Sequence, residues 1–214
     1  MLVERSRPAA NVVDGKIYVA GGVNNFNSSN WMEVFDPKTQ TWEFVLCPLS
    51  KRCSSYISKN AVIEGRIFYM CVNKCVVYKP EEDRWEAIEG FTNLNFGWTW
   101  LSYCVIDKVL CSFRDLVGMK WYCTRRQSWM NMKGLIGLPK FDSYSCAHMA
   151  DYDGKLAVFW TNGYGYKEKT IWCAVIAIEK RNGGEDIWGT VEWLDPLLTV
   201  PKSFRFECVV AATV

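Results

Sequence analysis

The sequence predicts an all-β fold built from about four repeated four-stranded units. Three observations point there. A strand–turn–strand pattern recurs at a period of about 40 to 50 residues, each recurrence is followed by a second hairpin that closes on a tryptophan, and the composition favours strands. The 11 Trp, 10 Tyr and 11 Phe stand in short runs beside Val, Ile and Thr, residues suited to a pleated, half-buried backbone. With 214 residues, half of them hydrophobic, the chain can bury a sizeable core.

The elements follow in order. Val12-Val13-Asp14-Gly15-Lys16-Ile17-Tyr18-Val19 reads as a hairpin, because Asp-Gly supplies the two positive φ angles of a type I′ turn. The pattern returns at Ile63-Glu64-Gly65-Arg66, at Ile106-Asp107-Lys108-Val109 in weaker form, and at Tyr152-Asp153-Gly154-Lys155. The second hairpin of unit 1 starts at Glu33-Val34-Phe35-Asp36-Pro37, where Asp-Pro suits the first two positions of a type I turn, and ends at Thr41-Trp42. Its counterparts close on Trp85, Trp129 and Trp193, giving intervals of about 43, 44 and 64 residues. The last interval contains a polar insert at 179–189, expected to be an enlarged loop. Burial is the expected role of the four closing tryptophans. Units of this kind are the sequence sign of β-propeller blades, here at about 9–46, 58–88, 102–131 and 145–194, with a C-terminal strand at 206–214.

Loop length selects the functional end. The turns joining first to second and third to fourth strands are short apart from the insert and read as scaffold. The opposite end collects 23–30, 161–169 and the inter-blade stretches 46–58, 88–101, 132–143 and 195–204, all longer than a turn requires. They carry the candidate partner-binding residues Asn24, Asn25, Asn27, Phe96, Trp98, Trp100, Arg114, Asp115, Tyr164, Tyr166 and Lys167, a polar-aromatic mixture suited to a contact surface. Trp98 and Trp100 serve equally well as inter-blade packing residues.

Lys and Arg exceed Asp and Glu by only two, and no basic patch marks a nucleic-acid partner. No apolar run approaches the roughly 20 residues that cross a bilayer, so no membrane partner is expected. The first residues, Met1-Leu2-Val3-Glu4-Arg5, carry charges where a signal peptide has its apolar core. The ten cysteines, eight of them in expected strands (Cys71, Cys75, Cys104, Cys111, Cys123, Cys146, Cys173 and Cys208), read as reduced, mostly buried thiols of a cytoplasmic or nuclear protein.

Gly21-Gly22 followed by Glu33-Val34-Phe35-Asp36-Pro37 and Thr41-Trp42 resembles the kelch repeat; the other units replace the glycine pair with Cys71-Val72, Phe113-Arg114 and Trp160-Thr161. The stretches Ala9-Ala10-Asn11-Val12-Val13-Asp14-Gly15 and Trp31-Met32-Glu33-Val34, with Val200-Pro201-Lys202-Ser203 and 208–214, are similar to the plant F-box/kelch-repeat proteins. That resemblance implies a kelch-type β-propeller that captures a protein for ubiquitination, while a separate F-box docks on the ligase core. An F-box and the first blades are expected to be absent here, so ligase-core docking is not expected of this stretch. Four blades and one strand that fail to close a ring would leave unpaired edges, favouring marginal stability or self-association.

Kelch propellers also include copper oxidases, which need paired imidazoles; this chain has the single His148. The iron site of plant specifier proteins needs acidic residues where Lys140 and Tyr144 precede His148. Cys71 and Cys75 offer two zinc ligands without a second pair. The expectation is therefore a protein-interaction module, no enzyme, with no metal and no cofactor. A metabolite-binding propeller and a nonfunctional truncated fragment are the alternatives.

Overall fold

The computed structural model describes residues 1–71, 74–88, 102–114, 118–139, 147–162 and 167–209. The fold is all-β, with four four-stranded antiparallel sheets in sequential strand order among the described residues, the arrangement expected of β-propeller blades. Blade 1 comprises β1 (Ala9–Val13), β2 (Lys16–Ala20), β3 (Met32–Asp36) and β4 (Thr41–Val45); blade 2 comprises β5 (Ile57–Ile63), β6 (Arg66–Cys71), β7 (Lys74–Lys79) and β8 (Arg84–Ile88). Both lie in one compact unit, Met1–Asn95. Blade 3, with β9 (Tyr103–Ile106), β10 (Val109–Arg114), β11 (Gly118–Cys123) and β12 (Ser128–Asn131), belongs to a second unit, Phe96–Val214. So does blade 4, formed by β13 (His148–Tyr152), β14 (Lys155–Asn162), β15 (Glu168–Arg181) and β16 (Asp186–Pro201).

Turn chemistry sets the register. Asp14 and Gly15 (φ 50° and 75°), Glu64 and Gly65 (52° and 73°), Asp107 and Lys108 (45° and 65°), and Asp153 and Gly154 (51° and 76°) all occupy the doubly positive geometry of the type I′ turn. The third-to-fourth turns of blades 1 to 3 instead spend one left-handed residue, Gln40, Asp83 or Gln127, after a type I bend. In blade 1 the Asp36 carboxylate accepts the Lys38 N–H at 2.9 Å, which locks that bend.

Each unit has its own core. In the first, Trp31, Met32, Ile67, Tyr69 and Val76 are wholly buried, with the Trp31 and Tyr69 rings edge to face at 5.3 Å. The second is centred on Ile106, Cys111, Leu156, Val158, Ala174 and Ile176. Strict alternation along β1 and β5, buried at every second residue, turns one side chain in two towards these cores.

The closing tryptophans are not core residues. Trp42, Trp85 and Trp129 are half-buried and Trp193 is 40% exposed. Each of the first three lies directly across from an aromatic residue of the third strand, with ring centroids at 4.9 Å (Phe35–Trp42), 4.7 Å (Tyr78–Trp85) and 5.5 Å (Tyr122–Trp129). Their repeat role is a cross-strand aromatic pair on the outer hairpin, which needs only one covered ring face.

The insert at 179–189 is not a loop either. β15 and β16 run through it as a long hairpin, 14 and 16 residues, turned by Asn182, Gly183 and Gly184, all at positive φ. The tip clasps blade 3: Lys180 Nζ lies 2.6 Å from the Asp107 carboxylate, Arg126 pairs with Glu185 at 2.9 Å, and Arg125 donates to the Gly183 carbonyl at 2.7 Å. Lys133, just beyond blade 3, exchanges backbone hydrogen bonds with Ile187 and Gly189. Residues 195–201, expected in a loop, continue β16. Pro196 has no N–H to give a further neighbour, which suits β16 to its place at the sheet edge. Of the expected C-terminal strand, 206–209 are not in a strand, and 210–214 lie outside the described residues. Cys208 is exposed and in no strand, unlike Cys71, Cys75, Cys104, Cys111, Cys123 and Cys173; Cys146 lies outside the described residues.

Candidate functional site

The glycine pair of blade 1 begins the site. β2 ends at Ala20, and Gly21 and Gly22 leave the sheet at φ 72° and 74°. A Cβ on Gly21 would meet the Ser55 carbonyl at 2.9 Å, and one on Gly22 the Ser6 carbonyl at 2.7 Å, so no side chain fits. In the other blades the second strand runs on to Cys71, Arg114 and Asn162, and extended backbone there accepts ordinary residues.

What approaches the glycines is the connection between blades 1 and 2. Gly22 N–H donates to the Ser55 carbonyl at 2.7 Å, Trp31 Nε1–H to the Ser54 carbonyl at 2.9 Å, and Cys47 N–H to the Ser28 carbonyl at 2.7 Å. Residues 46–56 are thereby tied to the loop 23–30, and the two present one surface. Trp85 Nε1–H adds a bond to the Leu46 carbonyl at 2.9 Å, so the closing tryptophan of blade 2 holds the exit of blade 1.

From below, this surface rests on a buried ion pair. Arg5 and Glu33 have fully buried side chains 2.8 Å apart. The Arg5 guanidinium also donates to the carbonyls of Gly21 (2.7 Å), Asn30 (2.9 Å) and Trp31 (3.0 Å), while Glu33 accepts the Leu2 N–H at 2.6 Å. With these donors and acceptors engaged, the desolvation of both charges is offset by fixed geometry at the foot of the loop.

Asn24, Asn25 and Asn27 stand together, exposed, on the loop 23–30. Asn27 is partly a loop-building residue: its side-chain oxygen accepts the N–H groups of Ser29 (2.8 Å) and Asn30 (3.2 Å). Arg114 ends β10 opposite Gly118, and exposed Lys167 immediately precedes β15; both occupy the matching ends of blades 3 and 4. Phe96, Trp98, Trp100, Asp115, Tyr164 and Tyr166 lie outside the described residues. Sequence reasoning passed over Leu46, 64% exposed, Tyr56, 45% exposed, and Lys51, all on the 46–56 connection. Leu46 was detectable as an apolar residue on the solvent side of an alternation, between buried Val45 and Cys47.

His148 is buried on β13 with its ring 4.7 Å from that of Phe206, and burial holds its imidazole below the ordinary histidine value. Cys75 lies opposite Met70, one residue from Cys71, so the two thiols leave opposite faces of blade 2 and do not converge on one ion. Among the described residues no group of three or more His, Cys, Asp or Glu is placed to hold a metal ion, and no helix is long and apolar enough to cross a membrane.

Comparison with known proteins adds sequence relationships to this geometry. F-box/kelch-repeat protein At4g39550 of Arabidopsis thaliana is 49% identical over 219 residues, covering all of this chain and 54% of that protein. F-box/kelch-repeat protein At4g39580 of the same plant is 43% identical, again over all of the chain and 56% of its own length. The chain therefore spans about half the length of the curated relatives it matches. Among solved structures, the N-terminal domain of Nup159 aligns with a TM-score of 0.37 and 7% identity over 86% of this chain and 47% of that one, a likeness that supports no statement about this chain. The family profile of the FKB95 kelch-repeats domain matches residues 1–198, and the chain belongs to that kelch-repeat family.

Proposed function

We propose that the chain is the substrate-recognition portion of an F-box/kelch type ubiquitin-ligase adaptor, which captures a protein partner and catalyses nothing. Family membership supports an interaction module. The observation that carries the reading to a surface is the pair of hydrogen-bonded loops 23–30 and 46–56, which displays Asn24, Asn25, Leu46 and Tyr56 to solvent on a rigid foundation. Exposed apolar and aromatic groups together with amides match the make-up of a protein contact patch. Arg114 and Lys167 extend the same reading to the equivalent ends of blades 3 and 4, and Phe96, Trp98, Trp100, Asp115, Tyr164 and Tyr166 belong to it by their loops. Docking on the ligase core belongs to the F-box of the longer relatives. A cytoplasmic or nuclear setting accords with the free thiols.

The test is affinity capture from plant extract by the wild-type chain and by a Leu46→Asp, Tyr56→Ala double variant, both checked for folding by circular dichroism. Under the proposal at least one protein held by the wild type drops by about tenfold or more with the folded variant. Equal capture by both would remove this loop surface as the binding site.

A further inference from the structure

The connection that carries the proposed surface also holds a thiol cluster that packing alone does not require. Cys47 follows β4 and is wholly buried, Cys53 is half-buried six residues beyond it, and Cys71 ends β6, 3% exposed. A 3-10 turn at Ser50–Arg52 folds the chain back on itself: Ser50 N–H donates to the Cys47 carbonyl at 3.1 Å and Cys53 N–H to the Ser50 carbonyl at 3.0 Å. This brings the Cys47 and Cys53 sulfurs to 3.7 Å, within about 2 Å of bonding distance. The Cys53 thiol also donates to the Leu49 carbonyl at 3.5 Å, and Cys71 is buried in the same core as Cys47, against which Cys53 packs.

We propose that Cys47 and Cys53 are an oxidation site, a dithiol that a small peroxide converts to a disulfide across the connection between blades 1 and 2. Proton sharing assigns the roles. The Cys53 proton faces both the Cys47 sulfur at 3.7 Å and the Leu49 carbonyl at 3.5 Å, which pulls the Cys47 thiol below its ordinary pKa and pushes that of Cys53 up. Cys47 as thiolate attacks one peroxide oxygen; the O–O bond breaks, hydroxide leaves and Cys47 becomes a sulfenic acid. Cys53 then attacks that sulfur, the S–O bond breaks, and its thiol proton leaves with the hydroxyl as water. Two thiols and one hydrogen peroxide give one disulfide and two waters. Cys53 is the more exposed member of the pair, the side from which a peroxide approaches. This inference stands apart from the proposed function, because it rests on the sulfur geometry and not on any partner.

The experiment is thiol mapping of the native reduced chain after brief treatment with hydrogen peroxide, followed by alkylation and tryptic mass spectrometry. Cleavage after Lys51 and Arg52 places the three sulfurs on separate peptides, 39–51, 53–59 and 67–74. The expected product is a disulfide joining 39–51 to 53–59, reversed by dithiothreitol and accompanied by a rise in Tm of about 5 °C from the short closed loop. Cys71→Ser keeps the link; Cys47→Ser and Cys53→Ser lose it. Cys47 that remains alkylatable, single-thiol overoxidation without a link, or a link from 53–59 to 67–74 would each overturn the assignment. The wild-type map decides even where a serine variant fails to fold.

Discussion

Lys108 occupies a left-handed position, φ 65°, at which Gly15, Gly65 and Gly154 serve the other three blades. A side chain there costs about 1 to 2 kcal/mol, part of which the greater chain entropy of glycine takes back. Lys108→Gly is therefore expected to stabilise the protein by about 1 kcal/mol, a Tm rise of about 2–4 °C by calorimetry. His148 gives a pH dependence with a definite sign. Its folded pKa lies below the ordinary 6.5, so at pH values under 6.5 the unfolded chain takes up a proton that the folded chain refuses. Stability falls on acidification through that window and is unaffected above it; Tm at pH 5.5 should lie below Tm at pH 7.5, and His148→Gln should narrow the gap. Single residues were the least legible scale. Arg5 looks in the sequence like a solvated charge, and only its partner Glu33, brought close by folding, explains why its side chain is wholly buried.

Elements were legible where local geometry decides them. The two positive φ angles of each Asp-Gly or Glu-Gly turn are a property of the dipeptide and its flanking strands, so those hairpins could be read directly. The β15–β16 extension escaped because a polar hairpin tip has no buried face to impose alternation, and Asn182-Gly183-Gly184 reads equally as loop. Its energetics rest on apolar burial more than on the charges that decorate it. Ile187 is 1% exposed, so Ile187→Ala should cost about 2–5 kcal/mol in urea denaturation. Arg126→Ala breaks a pair whose side chains are both about half exposed, 52% and 51%, and should cost less than about 1 kcal/mol. A reversal of that order would mean that the clasp is held electrostatically.

At the scale of the whole molecule, repeat period and tryptophan spacing were enough to read four blades, since each must bury its faces against a neighbour. The binding surface was legible only as loop length; which side chains it displays depends on the backbone bonds between loops distant in sequence, such as Cys47 to Ser28. The edge strand β16 exposes Trp193 (40%), Leu197 (47%) and Leu198 (52%), with Asp195 the one charged residue between them. Light scattering on the purified chain should show a mass that rises with concentration above the 24.7 kDa of one copy, and Leu197→Lys with Leu198→Lys should suppress the rise. A single-copy mass at all concentrations would show that the edge is self-sufficient.

The Arg5–Glu33 pair has a consequence during synthesis. The two residues are 28 positions apart, so at translation rates of about 5–20 residues per second the guanidinium leaves the ribosome roughly 1–6 s before its carboxylate. Through that interval the guanidinium has no carboxylate partner, and the foot of the loop stays unformed. Residues 1–5 thus settle only after Glu33 has emerged, and a nascent chain stalled short of Glu33 would present that segment unpacked to chaperones and proteases.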